Sequence, residues 1–183
     1  KKVLLIGADI RNPKIYQFYS GKNVDKLGRA TRNREDKGLT EYLVDQNLAV
    51  NDIISTMLAH EQTVDVIYSG KIPPNPSELL MNGRMKDLLE SMVELYDYII
   101  VDTAPLLVVT DTLLISEYAN QIIYVTRAGM TELKVLEYPI KLHNEGKLDG
   151  LSFIVNGVND SNLGYGGQYG YGYGKSTKKW WKF

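Results

Sequence analysis

VLLIGADIRNP, Val3 to Pro13, is an apolar run that passes without a break into an acid, a base and a proline. Val3 to Ile6 has the length and branched content of a buried strand. Asp9 and Arg11 then fall just past its carboxyl end, and in open α/β sheets the carboxyl ends of strands line the ligand crevice. A carboxylate and a guanidinium there face whatever binds. The plainer reading is that Asp9 caps a turn and Arg11 pairs with it. Working outward, similar runs occupy Val64 to Tyr68, Tyr98 to Val101, Ile122 to Val125 and Leu151 to Val155. They alternate with helical patterns, the rhythm of an α/β fold with a mostly parallel sheet flanked by helices. Leu79, Leu80, Met85, Leu88, Leu89, Met92 and Leu95 form one helical stripe, with Ser77 as its cap. Asp111 to Tyr118 and Thr131 to Asn144 read as two further helices, the second stopped near Gly146.

Composition narrows the classes of function. The chain has 183 residues, 44% of them hydrophobic, which suits one well-filled domain. Its formal charge of -1 argues against nucleic-acid binding by bulk electrostatics. Without cysteine there is no disulfide, thiolate metal site or cysteine nucleophile. His60 and His143 are too few for a histidine metal cluster. No apolar run reaches about 18 residues and no signal-peptide pattern opens the chain, so neither a membrane span nor secretion by that route is expected. Gly21 to Gly38 is polar, highly charged and weakly periodic, and reads as a mobile loop, with a basic ligand site as the sharper alternative.

A second segment carries chemistry. YDYIIVDTAP, Tyr96 to Pro105, is an apolar strand that delivers Asp102 and then Thr103, Ala104 and Pro105. That is the shape of a Walker B strand, whose carboxylate holds Mg²⁺, usually through water, beside a triphosphate. GYGYGKST, Gly170 to Thr177, ends like a phosphate-binding loop, but Tyr169 stands where that loop needs its first glycine. Only Lys178 to Phe183 follows, too little for the helix whose amides would face phosphate. From Asn162 onward glycine alternates with Tyr165, Tyr169, Tyr171 and Tyr173, which predicts a flexible tail over 162–183 after a globular part over 1–161. Trp180, Trp181 and Phe183 among Lys178, Lys179 and Lys182 suit either a membrane headgroup contact or an apolar chain end made soluble by charge.

Taken together, these segments resemble the bacterial tyrosine kinases, P-loop-type enzymes related to the MinD and ParA ATPases. LLIGADIRNP resembles their second Walker-type motif and YDYIIVDTAP their Walker B motif. GKIPPNPSELL, Gly70 to Leu80, resembles a segment these kinases carry before a long helix, and LSFIVNGV resembles the late strand whose asparagine, here Asn156, lies near adenine. The resemblance covers nearly the whole chain and includes the tyrosine-rich tail. It implies a P-loop NTPase-like fold and a tyrosine autokinase using ATP and Mg²⁺. Asp102 would organise Mg²⁺. Asp9 would orient or deprotonate the phenol, Arg11 would hold the loop or meet phosphate charge, and Asn156 would bond adenine. Tyr165, Tyr169, Tyr171 and Tyr173 would be phosphoacceptors in a ring-like homo-oligomer, each tail entering a neighbour's site. The implied setting is the cytoplasmic side of the bacterial inner membrane. The implied partners are a membrane activator segment, the capsule or exopolysaccharide export machinery and a phosphotyrosine phosphatase.

Two departures qualify that resemblance. The family's P-loop stands upstream of the first Asp motif, and no such loop precedes Lys1, so the chain is expected to start inside the kinase domain and to bind ATP weakly. Gly7 stands where the motif usually has the first of two aspartates, which leaves Asp9 alone. Both favour an alternative, a non-catalytic phosphoacceptor module of an export machine. A MinD- or ParA-type ATPase is a third reading, one with no use for four tail tyrosines.

Overall fold

The computed structural model describes residues 1–18, 37–59 and 62–159. At its centre lies β1, Val3–Gly7, parallel to β3, Gln62–Ile67, on one side and to β4, Tyr98–Asp102, on the other. The register sets Leu4 against Asp65 and Gly7 against Asp102. A fourth strand, β2, Ile54–Ala59, pairs antiparallel with β3, giving the order β2-β3-β1-β4. The remaining strands, β5, Ile122–Arg127, and β6, Leu151–Asn156, form a separate parallel pair. The sheet is therefore mostly parallel, as expected, but divided in two and edged by an antiparallel strand.

Helices cover the larger sheet and seal its core. They are α1, Leu39–Val44, α2, Pro76–Met81, and α3, Arg84–Val93. Leu4, Ile6, Leu39, Ile67, Met85 and Leu88 are all fully buried together. Each such side chain contributes about 1.5–3 kcal/mol relative to exposure. Arg84 locks the end of α1. Its Nε donates to the Tyr42 carbonyl at 2.8 Å and its guanidinium lies 3.9 Å from the Tyr42 ring centroid.

Three expectations are corrected. The stripe from Leu79 to Leu95 is two helices: Gly83 takes a left-handed φ of 84°, and Asn82 bonds outward to the Leu43 carbonyl and to the amide of Arg84. Periodicity survived because the apolar residues return to the same side after the break. Ser77 is not the cap, since α2 starts at Pro76 behind Asn75 and the Ser77 hydroxyl points elsewhere. Thr131 to Asn144 contains a 3-10 turn, Leu133–Leu136, before α5, Glu137–Asn144. Gly146 follows with φ 69°, where a stop was expected. Helix α4, Asp111–Ser116, begins at the expected residue and ends slightly early. The charged segment 21–38 falls almost wholly outside the described residues, as does the tail 162–183. Among the described residues no helix is long and apolar enough to cross a membrane.

Candidate active site

The carboxyl ends of β1 and β4 lie side by side, and the chain after β1 folds over β4. The amides of Ala8 and Asp9 both donate to the Asp102 carbonyl, at 2.7 and 3.1 Å. That pins the Asp9 turn to the end of the Walker B-like strand. Within the turn, Asp9 Oδ1 accepts from the amides of Arg11 at 3.2 Å and Asn12 at 2.9 Å. One oxygen thus holds the turn while Oδ2 accepts no bond among the described residues. Burial raises the pKa of Asp102 and the negative charge of Asp9 raises it further. A carboxylate whose ionisation is made costlier by desolvation and by a neighbouring carboxylate is a place where a divalent ion is favourable.

Gly7 has a structural reason. A Cβ there would lie 2.8 Å from Ser69 Oγ and 3.3 Å from the Ser69 amide and Ile15 Cδ1, so the space of the missing first aspartate is filled by Ser69.

The Arg11 side chain turns away from Asp9. Its Nε and Nη2 donate to the two carboxylate oxygens of Asp111 at 2.5 and 3.0 Å, and Nη2 also donates to Ser77 Oγ at 2.9 Å. Ser77 Oγ in turn donates to Asp111 Oδ1 at 2.9 Å. Asp111 is 2% exposed, and the Arg11 hydrogen bond holds its pKa below the usual carboxylate range despite burial. The plainer expectation therefore changes: Arg11 does not pair with Asp9 through its side chain but with Asp111, a buried ion-pair partner at the first residue of α4. Sequence reading missed this cluster because an acid at a helix start is commonly a cap, and burial of a carboxylate leaves no mark in hydropathy.

Arg11 also borders an open groove of about 400 Å³ with Leu106, Leu107, Val108, Val109, Thr110 and Tyr138. Asn156 ends β6, in the separate two-stranded sheet. Its Oδ1 accepts from the Gly157 amide at 2.7 Å, which makes it a turn residue. Its Nδ2 donates no bond among the described residues, so a hydrogen bond to a base is still open to it. Tyr165, Tyr169, Tyr171 and Tyr173 lie outside the described residues. No group of three or more acidic or histidine side chains that would hold a metal by itself occurs among the described residues. Asp102 with Asp9 nevertheless fits Mg²⁺, which takes one or two protein carboxylates and completes its shell with water and phosphate oxygens.

Comparisons with known proteins agree in direction. No protein-family profile matches the chain. It is 35% identical over 167 residues to "Tyrosine-protein kinase ptk" of Acinetobacter johnsonii, covering 90% of this chain and 20% of that protein. It is 33% identical over 178 residues to "Tyrosine-protein kinase CpsD" of Streptococcus agalactiae, covering 97% and 71% respectively. The kinase domain of the Escherichia coli tyrosine kinase ETK superposes with a TM-score of 0.71 at 33% identity over 86% of this chain and 56% of that one. A ParA-family ATPase from Chlorobium tepidum shares the fold alone, with a TM-score of 0.60 at 18% identity over 85% of this chain and 60% of that one. The chain spans about a fifth of the first of these relatives.

Proposed function

The chain belongs to the bacterial tyrosine kinases, and from that premise we propose that it is the part of an autokinase that supplies the metal-organising and proton-accepting carboxylates. The observation that supports this most is the pinned pair, Asp9 and Asp102, at the adjoining carboxyl ends of two parallel strands. Mg²⁺ would neutralise the triphosphate and the charge that develops on it. Asp102 would hold that ion. Asp9, with Oδ2 open, takes the phenolic proton as the tyrosine oxygen attacks the γ-phosphorus and the bond to the β-phosphate oxygen breaks, releasing ADP. The groove beside Arg11 receives the acceptor segment, and Asn156 reaches the adenine. The phosphate cradle of such a site would be a P-loop, a motif that none of the residues 1–183 form.

The acceptors are Tyr165, Tyr169, Tyr171 and Tyr173, modified in trans within a homo-oligomer. Each phosphate adds about -1.5 to -2 charge at neutral pH, so modified tails repel and leave the neighbour's site. That cycle would control capsule or exopolysaccharide export at the cytoplasmic face of the inner membrane, with an activator segment, the export machinery and a phosphatase as partners. Gly7, with Ser69 in the place of the other aspartate, favours the second reading of a phosphoacceptor module without catalysis of its own. The full-length kinase carrying this chain decides between them. Asp102→Asn is expected to abolish Mg²⁺-dependent phosphotyrosine, and Asp9→Asn to lower kcat by about a hundredfold while KM for MgATP holds within about threefold. Wild-type rates in both variants contradict the catalytic assignment.

A further inference from the structure

We propose that Asp111 and Ser77 are positioning residues that act on Asp9 through Arg11; this rests on the kinase reading of the Asp9–Asp102 pair. The connection is continuous. Asp111, buried at the start of α4, and Ser77, in the first turn of α2, hold the Arg11 guanidinium by three hydrogen bonds between 2.5 and 3.0 Å. The backbone amide of the same arginine donates to Asp9 Oδ1 at 3.2 Å, and the next amide, of Asn12, donates at 2.9 Å. With the side chain of Arg11 anchored, its amide has a fixed place, and the Asp9 carboxylate is held with one oxygen in the turn and the other outward.

Asp111 fixes the opposite loop too. It heads the helix that follows the loop from β4, and in that helix Thr112 Oγ1 donates to the Ala104 carbonyl at 2.6 Å. One buried carboxylate therefore sets the spacing between the loop carrying Asp9 and the loop leaving Asp102. Arg11 is suited to this because its planar fork engages both oxygens of Asp111 and still reaches Ser77, which a lysine ammonium cannot reproduce. Anchored in this way through Nε and Nη2, Arg11 supports the turn that holds Asp9. GKIPPNPSELL thereby gains a chemical link to the active site, through Ser77.

The first test needs no catalysis. In this chain, Asp111→Asn is expected to speed amide exchange at Arg11 and Asn12 about threefold or more, while exchange at Ile6 in β1 stays unchanged. Ser77→Ala, the milder change, should move the same two amides by less. If Asp111→Asn unfolds the chain, so that Ile6 exchanges faster too, Ser77→Ala alone carries the test. Unchanged exchange at Arg11 and Asn12 in the folded variant overturns the proposal.

The second test uses the full-length kinase. Asp111→Asn is expected to lower kcat about tenfold with KM for MgATP held within about threefold. In an Asp9→Asn background the same substitution should cost less than about twofold more, because the residue it acts through is already lost. A tenfold loss in both backgrounds would show that Asp111 does not act through Asp9 and would overturn the proposal. A wild-type kinase that forms no phosphotyrosine would remove the kinase reading and the positioning role together, while the exchange measurement still judges the clamp itself.

Discussion

The strands β1 and β3 and the pair β5–β6 are built from similarly apolar sequence, yet they end in opposite environments. Leu4, Ile6 and Ile67 are completely buried under α1 to α3, whereas Ile123, Val125 and Val155 are 55%, 61% and 56% exposed. Phe153 and Ile154 are exposed on neighbouring positions of β6, so both faces of that strand carry apolar surface to water. The difference teaches that strand-forming sequence and folding energy are separate matters. Apolar area stabilises only once it leaves water, so the four-stranded half holds the fold. The candidate chemistry straddles the contrast: Asp9 follows the buried strand β1, while Asp102 ends β4, whose Tyr98 and Ile100 are 57% and 54% exposed.

The largest expected effect breaks this comparison directly. Leu88→Ala should cost about 2–5 kcal/mol in urea unfolding, and Val125→Ala less than about 0.5 kcal/mol. Equal costs would mean that β5–β6 shares in the core after all.

Next come the ionisable groups of the site, measured as stability against pH. Asp111 has a lowered folded pKa, so its contribution is complete above the ordinary carboxylate value and is lost as pH falls through the lowered one. Asp111→Asn should therefore flatten the acid limb of the stability curve below about pH 4. Asp102 runs the other way. Burial and the charge of Asp9 raise its folded pKa, so the folded state prefers the protonated form and stability falls as pH rises from the unfolded towards the folded value. Asp102→Asn should raise Tm at neutral pH; a lowered Tm would contradict the electrostatic account of the pair.

How much of this was legible in sequence depends on what each residue's signal reports. Val3 to Ile6 and Tyr98 to Val101 announced themselves because long apolar runs have few alternatives, and their following acids marked the crevice. Strand β2, ISTMLA, was not visible because Ser55 and Thr56 interrupt the apolar pattern and only pairing with β3 makes it a strand. Helix α1 is six residues, too short to show a helical period. Asp9 and Asp102 could be named from their positions after strands, but the tie from Asp111 and Ser77 to Arg11 spans up to 100 residues and exists only after folding.

The smallest expected effect lies on the outer face of α3. Lys86 and Glu90 are both exposed and 3.7 Å apart, so Lys86→Ala should change stability by no more than about 0.5 kcal/mol. A larger loss would show that this face is not simply solvated.

The most direct test of the kinase account is the site of phosphorylation. The chain, mixed with an active kinase that carries the full domain and MgATP, is mapped for phosphotyrosine by mass spectrometry. The account predicts label on Tyr165, Tyr169, Tyr171 and Tyr173, and loss of most label when all four are replaced by Phe with the fold unchanged. Label falling mainly on Tyr16, Tyr42 or Tyr96 of the globular part would contradict it.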